Sequence, residues 1–200
     1  MTVASGRGRG RRPGGPDTRG QILAAARESF ADKGFGSTTI RGVAADAGVD
    51  PALVHHYFGS KDDLFLAALE IPVDPRVLVP TVFDEGVDGA GERLVRLLLS
   101  VWDDPATRLP LIALLRSSLV QGTPETLLQQ GILRMVLQPM RDALPAEEAD
   151  RRVQLVICQM VGLVVTRYLL ALEPLASMPA EQVVAWVAPT LQRYLDGPLP

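Results

Sequence analysis

The sequence predicts an all-α chain. Three observations carry that reading: apolar residues recur at helical spacing from Asp17 onward, Gly and Pro cut the chain into helix-sized segments, and no stretch sustains the period-two alternation of a strand. No motif recurs at a fixed period, which argues against a repeat array. With 200 residues, 47% hydrophobic and 22% charged, the chain has the balance of a globular protein of one or two domains.

The segment "GRGRGRRPGGP", Gly6 to Pro16, has little apolar surface to bury, so residues 1–16 are predicted to form a disordered basic arm. Asp17 then caps a first helix with Ile22, Ala25, Ala26, Ser29 and Phe30 on one face and Gly34 as its stop. A short second helix takes Ser37 or Thr38 as its cap, turns Ile40, Val43, Ala44 and Ala47 inward, and ends before Gly48. The third begins at once: Asp50 caps it, Pro51 occupies the first position where its missing N–H costs nothing, and Val54 and Phe58 face inward one turn apart. Gly59 ends it and Ser60 caps a fourth, whose first turn carries Asp62 and Asp63, favourable to the helix dipole, ahead of Leu64, Phe65, Ala68 and Leu69. Pro72 and Pro75 close this unit. Further helices are predicted near 75–85, 90–103, 107–121, 124–143, 146–172 and 180–195, the last two apolar over enough of their surface to be buried on two sides.

Charge is unevenly spread. Residues 1–61 carry a net +4 and residues 62–200 a net −7, so a basic head on an acidic body points to a polyanionic partner for the head. A lone cysteine, Cys158, cannot close an intramolecular disulfide; set in the most apolar helix, it is read as a buried structural thiol. The N-terminus has no apolar leader, and the segment Leu155 to Val165 falls short of a membrane span. The expected location is cytoplasmic, with no membrane partner.

Two short helices joined by a glycine turn, the second polar on its outer face and behind a basic tail, form a helix-turn-helix pattern. An α-helix fits the major groove, where base edges offer donors, acceptors and methyl groups. The third helix presents Pro51, Ala52, His55, His56 and Tyr57 as candidate DNA contacts. Thr38, Thr39, Arg41 and Lys61 lie near helix starts that can hold phosphate oxygens. Arg7, Arg9, Arg11, Arg12 and Arg19 are further candidates for phosphate or minor-groove contact. The adjacent histidines do not suit a metal, because neighbours on a helix point about 100° apart and chelating pairs sit four residues apart. No nucleophile elbow, phosphate loop or third histidine supports an enzyme, and no cofactor is expected.

The stretch "GFGSTTIRGVAADAGVDPALVHHYFGSKDDLF", Gly34 to Phe65, resembles the TetR family of bacterial transcriptional regulators: a Gly-aromatic start, paired threonines, the Ala-Gly-Val turn, the aromatic end of the third helix and the Ser-Lys-acid opening of the fourth. Two positions depart from the family pattern, Gly42 and His55, where a polar residue and a tyrosine are more usual. The resemblance implies a three-helix DNA-binding domain over 17–62, a helical ligand-binding and dimerisation domain over 63–200, a homodimer, a palindromic double-stranded operator and a small-molecule effector. It implies a repressor that an inducer releases. Phe83, Trp102, Arg116, Met135 and Arg167 are candidates for the ligand site, joined by Met160, and the scarcity of charge in the core helices makes a mostly apolar ligand the expectation. A helical small-molecule carrier or enzyme with a non-specific DNA-binding N-terminus is the alternative.

Overall fold

The computed structural model describes residues 17–120 and 131–198, and every regular element among them is helical. The arm, with Arg7, Arg9, Arg11 and Arg12, and the first part of the helix predicted over 124–143 lie outside the described residues.

The first unit packs α1 (Thr18–Ser37), α2 (Ile40–Asp46), α3 (Pro51–Phe58) and α4 (Lys61–Ala68) around one core. Asp17 caps α1 by accepting from the Gly20 N–H at 2.9 Å. The helical path breaks at Gly34, whose φ of 72° lies where a side chain would be strained. The break lets Phe35 fold back beside Phe30 and Phe65, with ring centroids 5.0 to 5.9 Å apart. Ile22, Ala26, Val43, Val54 and Leu64 complete this core. It extends through Leu66 and Ala68, past the boundary at residue 62 read from sequence, because both helical faces of α4 near its middle are covered. It also takes in Met135 from a much later helix.

The second unit comprises α5 (Pro75–Thr81), α6 (Ala90–Asp103), α7 (Pro105–Val120), α8 (Leu133–Asp142), α9 (Ala149–Val164), which continues as a π-helical turn over Val165–Leu169, and α10 (Ala180–Asp196). Its core joins Leu94, Val95 and Leu98 of α6 to Val153, Val156 and Leu163 of α9 and Val183, Val184 and Leu191 of α10. The α6–α10 contact depends on Gly91: a Cβ there would lie 2.6 Å from the Gln192 nitrogen and 2.7 Å from the Ala188 oxygen. Gln192 fastens the same contact, accepting from the Gly91 N–H at 2.9 Å and donating to the Val87 oxygen at 3.0 Å.

Helix α5 stops at Thr81, short of the predicted 85, and the chain leaves through turns to Gly86 at φ 84°. The 21-residue stretch Ala149–Leu169 has a mean hydropathy of 1.3, enough by length and composition to cross a membrane. One side of it packs into the second core and both its ends are pinned: Arg152 donates to Tyr194 and Gly197 oxygens on the α10 side, and Arg167 donates to the Leu175 and Met178 oxygens.

Candidate nucleic-acid interface and ligand cavity

The capping chemistry of α2 and α3 decides which side chains face outward. Thr39 caps α2, accepting from the Gly42 N–H at 3.0 Å, and stays exposed; the caps proposed from sequence, Ser37 and Thr38, do not serve. Thr38 is buried, and its hydroxyl is directed to the Ser29 and Gly34 oxygens at 2.9 and 2.8 Å. It locks the end of α1 to the start of α2, so its side chain has no free face for a phosphate. Asp50 caps α3 by accepting from the Ala52 N–H at 2.7 Å, with Pro51 in the first turn.

Val54 and Phe58 anchor α3 inward, leaving Ala52, Leu53, His55, His56 and Tyr57 exposed along one surface with Pro51 half-buried at its head. The His55 Nδ1 lies 2.9 Å from the Gly59 oxygen. A carbonyl only accepts, so Nδ1 carries the proton in that contact and Nε2 is left for a partner outside the chain. The His56 and Tyr57 rings touch edge to face at 5.5 Å. Arg41 is exposed on α2. Arg19 sits over the Phe58 ring at 5.3 Å, which brings one basic residue of α1 to the end of α3.

Lys61 opens α4 half-buried, its ammonium 4.4 Å from the Phe35 ring centre and 3.3 Å from the Gly36 oxygen. Burial, and then the nearby charge of Arg134, hold its pKa below the ordinary lysine value, with Asp62 opposing. Behind it, Ser60 and Asp63 form a reciprocal capping box. The Ser60 hydroxyl and Arg76 hold the Asp63 carboxyl below its usual range. Arg76 in turn reaches Asp74 at 2.7 Å, and Arg76 is the first cause that lowers Asp74.

A cavity of about 270 Å³, partly open to the surface, lies among α5, α6, α7, α8 and α9. Every described lining residue is aliphatic or sulphur-bearing except Trp102, whose indole N–H is the single nitrogen or oxygen group that a lining side chain offers. Of the ligand-site candidates, Trp102 and Met160 line it. Phe83 packs partly buried on the second core away from the cavity, and Met135 is committed to the first core beside Phe65. Arg116 is exposed. Arg167 is buried; one of its terminal nitrogens donates to two backbone oxygens, Asp103 lies 3.5 Å away, and its Nε has no partner among the described residues. Helical apolar stripes do not announce which members surround a void, so Leu97, Val101 and Leu111 of the cavity wall carried no separate signal in the sequence.

The cavity wall touches both cores. Ile71 and Ile132 line it and also pack against the N-terminal core. Beside Ile132, a Cβ on Gly131 would lie 2.3 Å from the Phe65 ring, so the α8 entry rests directly on α4. The cysteine reading is also corrected: Cys158 is exposed, because α9 leaves Leu155, Cys158 and Gly162 on an uncovered face.

Comparison with known proteins agrees with both halves. Residues 22–68 match the family model of bacterial regulatory proteins, tetR family, and residues 88–195, more than half of the chain, match that of the tetracyclin repressor-like C-terminal domain. A TetR-family regulator from Streptomyces coelicolor A3 is 38% identical, with a TM-score of 0.53, over 93% of this chain and 98% of its own. The HTH-type transcriptional regulator HbdR of Aromatoleum sp. (strain CIB) is 31% identical over 86 residues, 43% of this chain and 36% of its own. The regulator BetI of Brucella anthropi is 43% identical over 54 residues, 27% of this chain and 28% of its own, so these curated relatives are matched over about a third of their length. A C-terminal family match over more than half the sequence, joined to the N-terminal one on the helix-turn-helix, means that the chain belongs to the TetR family of bacterial regulatory proteins.

Proposed function

We propose that the chain is a ligand-responsive, DNA-binding transcriptional regulator that represses from a palindromic operator and is released by a small, mostly apolar inducer. One observation carries this reading: α3 exposes Ala52, His55, His56 and Tyr57 along one surface while an apolar cavity shares Ile71 and Ile132 with the core that holds α3 in place. Residues 17–62 form the DNA-contacting unit, with Thr39, Arg41, Pro51, Ala52, His55, His56, Tyr57 and Lys61 at the duplex. Residues 63–200 bind the ligand, with Trp102 in the cavity, and dimerise; the arm 1–16 adds phosphate contacts. The protein acts in the cytoplasm and is not an enzyme.

A single short recognition helix makes few contacts, so two must act together, spaced about 34–36 Å to meet successive major-groove faces. The exposed Leu155, Cys158 and Gly162 of α9 and Trp186 of α10 offer the apolar face for a four-helix dimer contact between two copies. A ligand that fills the cavity displaces α5 and α8, and through Ile132, Gly131 and Phe65 shifts α4 and the spacing of the two α3 helices.

The experiment is a mobility shift and footprint of the full chain on DNA from upstream of its own coding sequence, with scrambled competitor. Two-fold symmetric, sequence-specific protection supports the regulator. Binding that is salt-sensitive but blind to sequence supports a helical carrier or enzyme instead.

A further inference from the structure

Arg134 was not among the residues expected at the duplex. It stands near the start of α8, in the second unit, yet its guanidinium lies 5.8 Å from the centre of the Phe35 ring in the first. Lys61 approaches the same ring at 4.4 Å. Two cations are therefore held together on one aromatic side chain that is itself buried. Among the described residues neither is in a salt bridge: the neighbouring acids Asp62 and Asp63 are turned to Arg76, at 4.0 and 2.5 Å. Like charges brought together are unfavourable until an anion joins them, and Asp62 beside Lys61 offsets this only in part.

The surroundings say which anion. Lys61 opens α4 immediately behind α3, and its ammonium reaches back to Gly36, close in sequence to the Thr39 cap of α2. Lys61 thus stands at the turn that joins α3 to α4, next in the chain to the helix that meets the duplex. Lowering of the Lys61 pKa by Arg134 is consistent with the two cations sharing one field.

We infer that Arg134 joins Lys61 on the operator backbone, each cation neutralising its own phosphate, so that the duplex is held by the ligand-binding unit as well as by the helix-turn-helix. The inference rests on the regulator reading above. It adds a second route for release: Ile132, Leu133 and Val136, on either side of Arg134 in the chain, line the cavity. A ligand that shifts this turn of α8 moves Arg134 off the phosphate while Lys61 stays with α4.

The test uses the full-length dimer and a duplex that the wild-type protein selects from a randomised pool, with affinity measured by fluorescence anisotropy against salt. Each phosphate contact contributes about 0.9 to the slope of log affinity on log salt, so Arg134→Gln should lower the slope by about 1.8 per dimer. Between two salt concentrations fourfold apart, the wild type should therefore lose about twelvefold more affinity than the variant. Arg134→Lys keeps the charge while losing the guanidinium on Phe35, and should keep the wild-type slope; Arg141→Gln, farther along α8 and paired with Asp150, should also keep it. An Arg134→Gln slope equal to wild type overturns the site. Equal losses in the Gln and Lys variants assign Arg134 to packing and overturn it as well. Inorganic phosphate replacing chloride at constant ionic strength should compete with the duplex and weaken wild type more than Arg134→Gln; losses equal in the two proteins mean that Arg134 meets no phosphate and overturn the site. A wild-type protein that selects no duplex defeats the regulator reading itself, an outcome distinct from these.

Discussion

Arg76 and Asp63 meet at 2.5 Å, the guanidinium coming from α5 and the carboxylate from the first turn of α4. Asp63 is already the capping partner of Ser60, which follows the turn that ends α3. Pro75, Leu78 and Val79, around Arg76 in the chain, line the cavity. One carboxylate is thus tied both to the turn behind the recognition helix and to the cavity wall.

That link predicts a separation of binding from response. In Arg76→Met the capping box survives, so operator affinity without ligand should change little. The ligand-induced fall in affinity should shrink by about fivefold, corresponding to a loss of about 1 kcal/mol from a coupling energy typically of about 1–3 kcal/mol. Operator titrations with and without a releasing ligand, in wild type and variant, measure it; an undiminished response would show that coupling runs entirely through Phe65 and α8.

The same cluster gives stability an acid limb. Asp63 is held low first by the Ser60 hydroxyl and then by Arg76, and Asp74 first by Arg76. A depressed carboxyl pKa stabilises the folded state above the unfolded value of about 3.9, and that contribution is lost as pH falls through the lower folded value. Melting temperature should therefore drop from about pH 4 downward, and drop less steeply in Arg76→Met. Parallel acid limbs in the two proteins would remove Arg76 as the cause.

Local chemistry made the first unit readable. Asp50-Pro51, Ser60 with Asp63, and the glycines at 34, 48 and 59 each dictate a cap or a left-handed turn by their own side chains or lack of one. Thr39 could have been found too, since it directly precedes the first apolar residue of α2, but Thr38 offers the same hydroxyl one place earlier. The ligand site was not readable. Met135 and Met160 look alike in sequence, yet one completes the N-terminal core and the other faces the void, a distinction made by tertiary packing between segments far apart in the chain. Arg134 was missed for the same reason: its partner ring lies about a hundred residues earlier.

The paired threonines should respond differently to substitution. Thr38→Val keeps the volume but leaves the Ser29 and Gly34 oxygens without this donor, at a cost of about 1–3 kcal/mol in stability. Thr39→Ala removes an exposed cap and should cost about 1 kcal/mol while also weakening DNA binding. Denaturant unfolding and operator titration of both variants distinguish the roles. If Thr38→Val folds with wild-type stability but binds DNA weakly, its hydroxyl acts at the duplex after all.

Trp186 is 77% exposed on α10, an unusual position for the largest side chain in a single copy. If the proposed dimer buries that ring, Trp186→Glu places a charge in an apolar seam. The variant should sediment as a monomer at concentrations where wild type is a dimer, with its helical content intact and its operator affinity reduced at least tenfold. A Trp186→Glu protein that remains dimeric would move the contact elsewhere.

The cavity predicts what it will exclude. No described lining side chain carries a charge, and Trp102 supplies the one N–H, stacked at 5.6 Å on Tyr168, whose hydroxyl donates to Asp103 at 2.8 Å and whose pKa is pushed up to about 12, chiefly by burial. An apolar chain entering this space gains about 0.8 kcal/mol per buried CH₂, whereas a carboxylate or ammonium arriving without a partner loses far more. Decanol should therefore bind, while decanoate and decylammonium, with the same chain, should bind at least a hundredfold more weakly. The chain has two tryptophans, so in Trp186→Phe the fluorescence of Trp102 alone reports occupancy. Decanol should shift that emission and release the duplex; decanoate should do neither at matched concentration. Equal binding of all three would mean that the charged head lies outside the cavity in water, and the ligand would then be recognised by its tail alone.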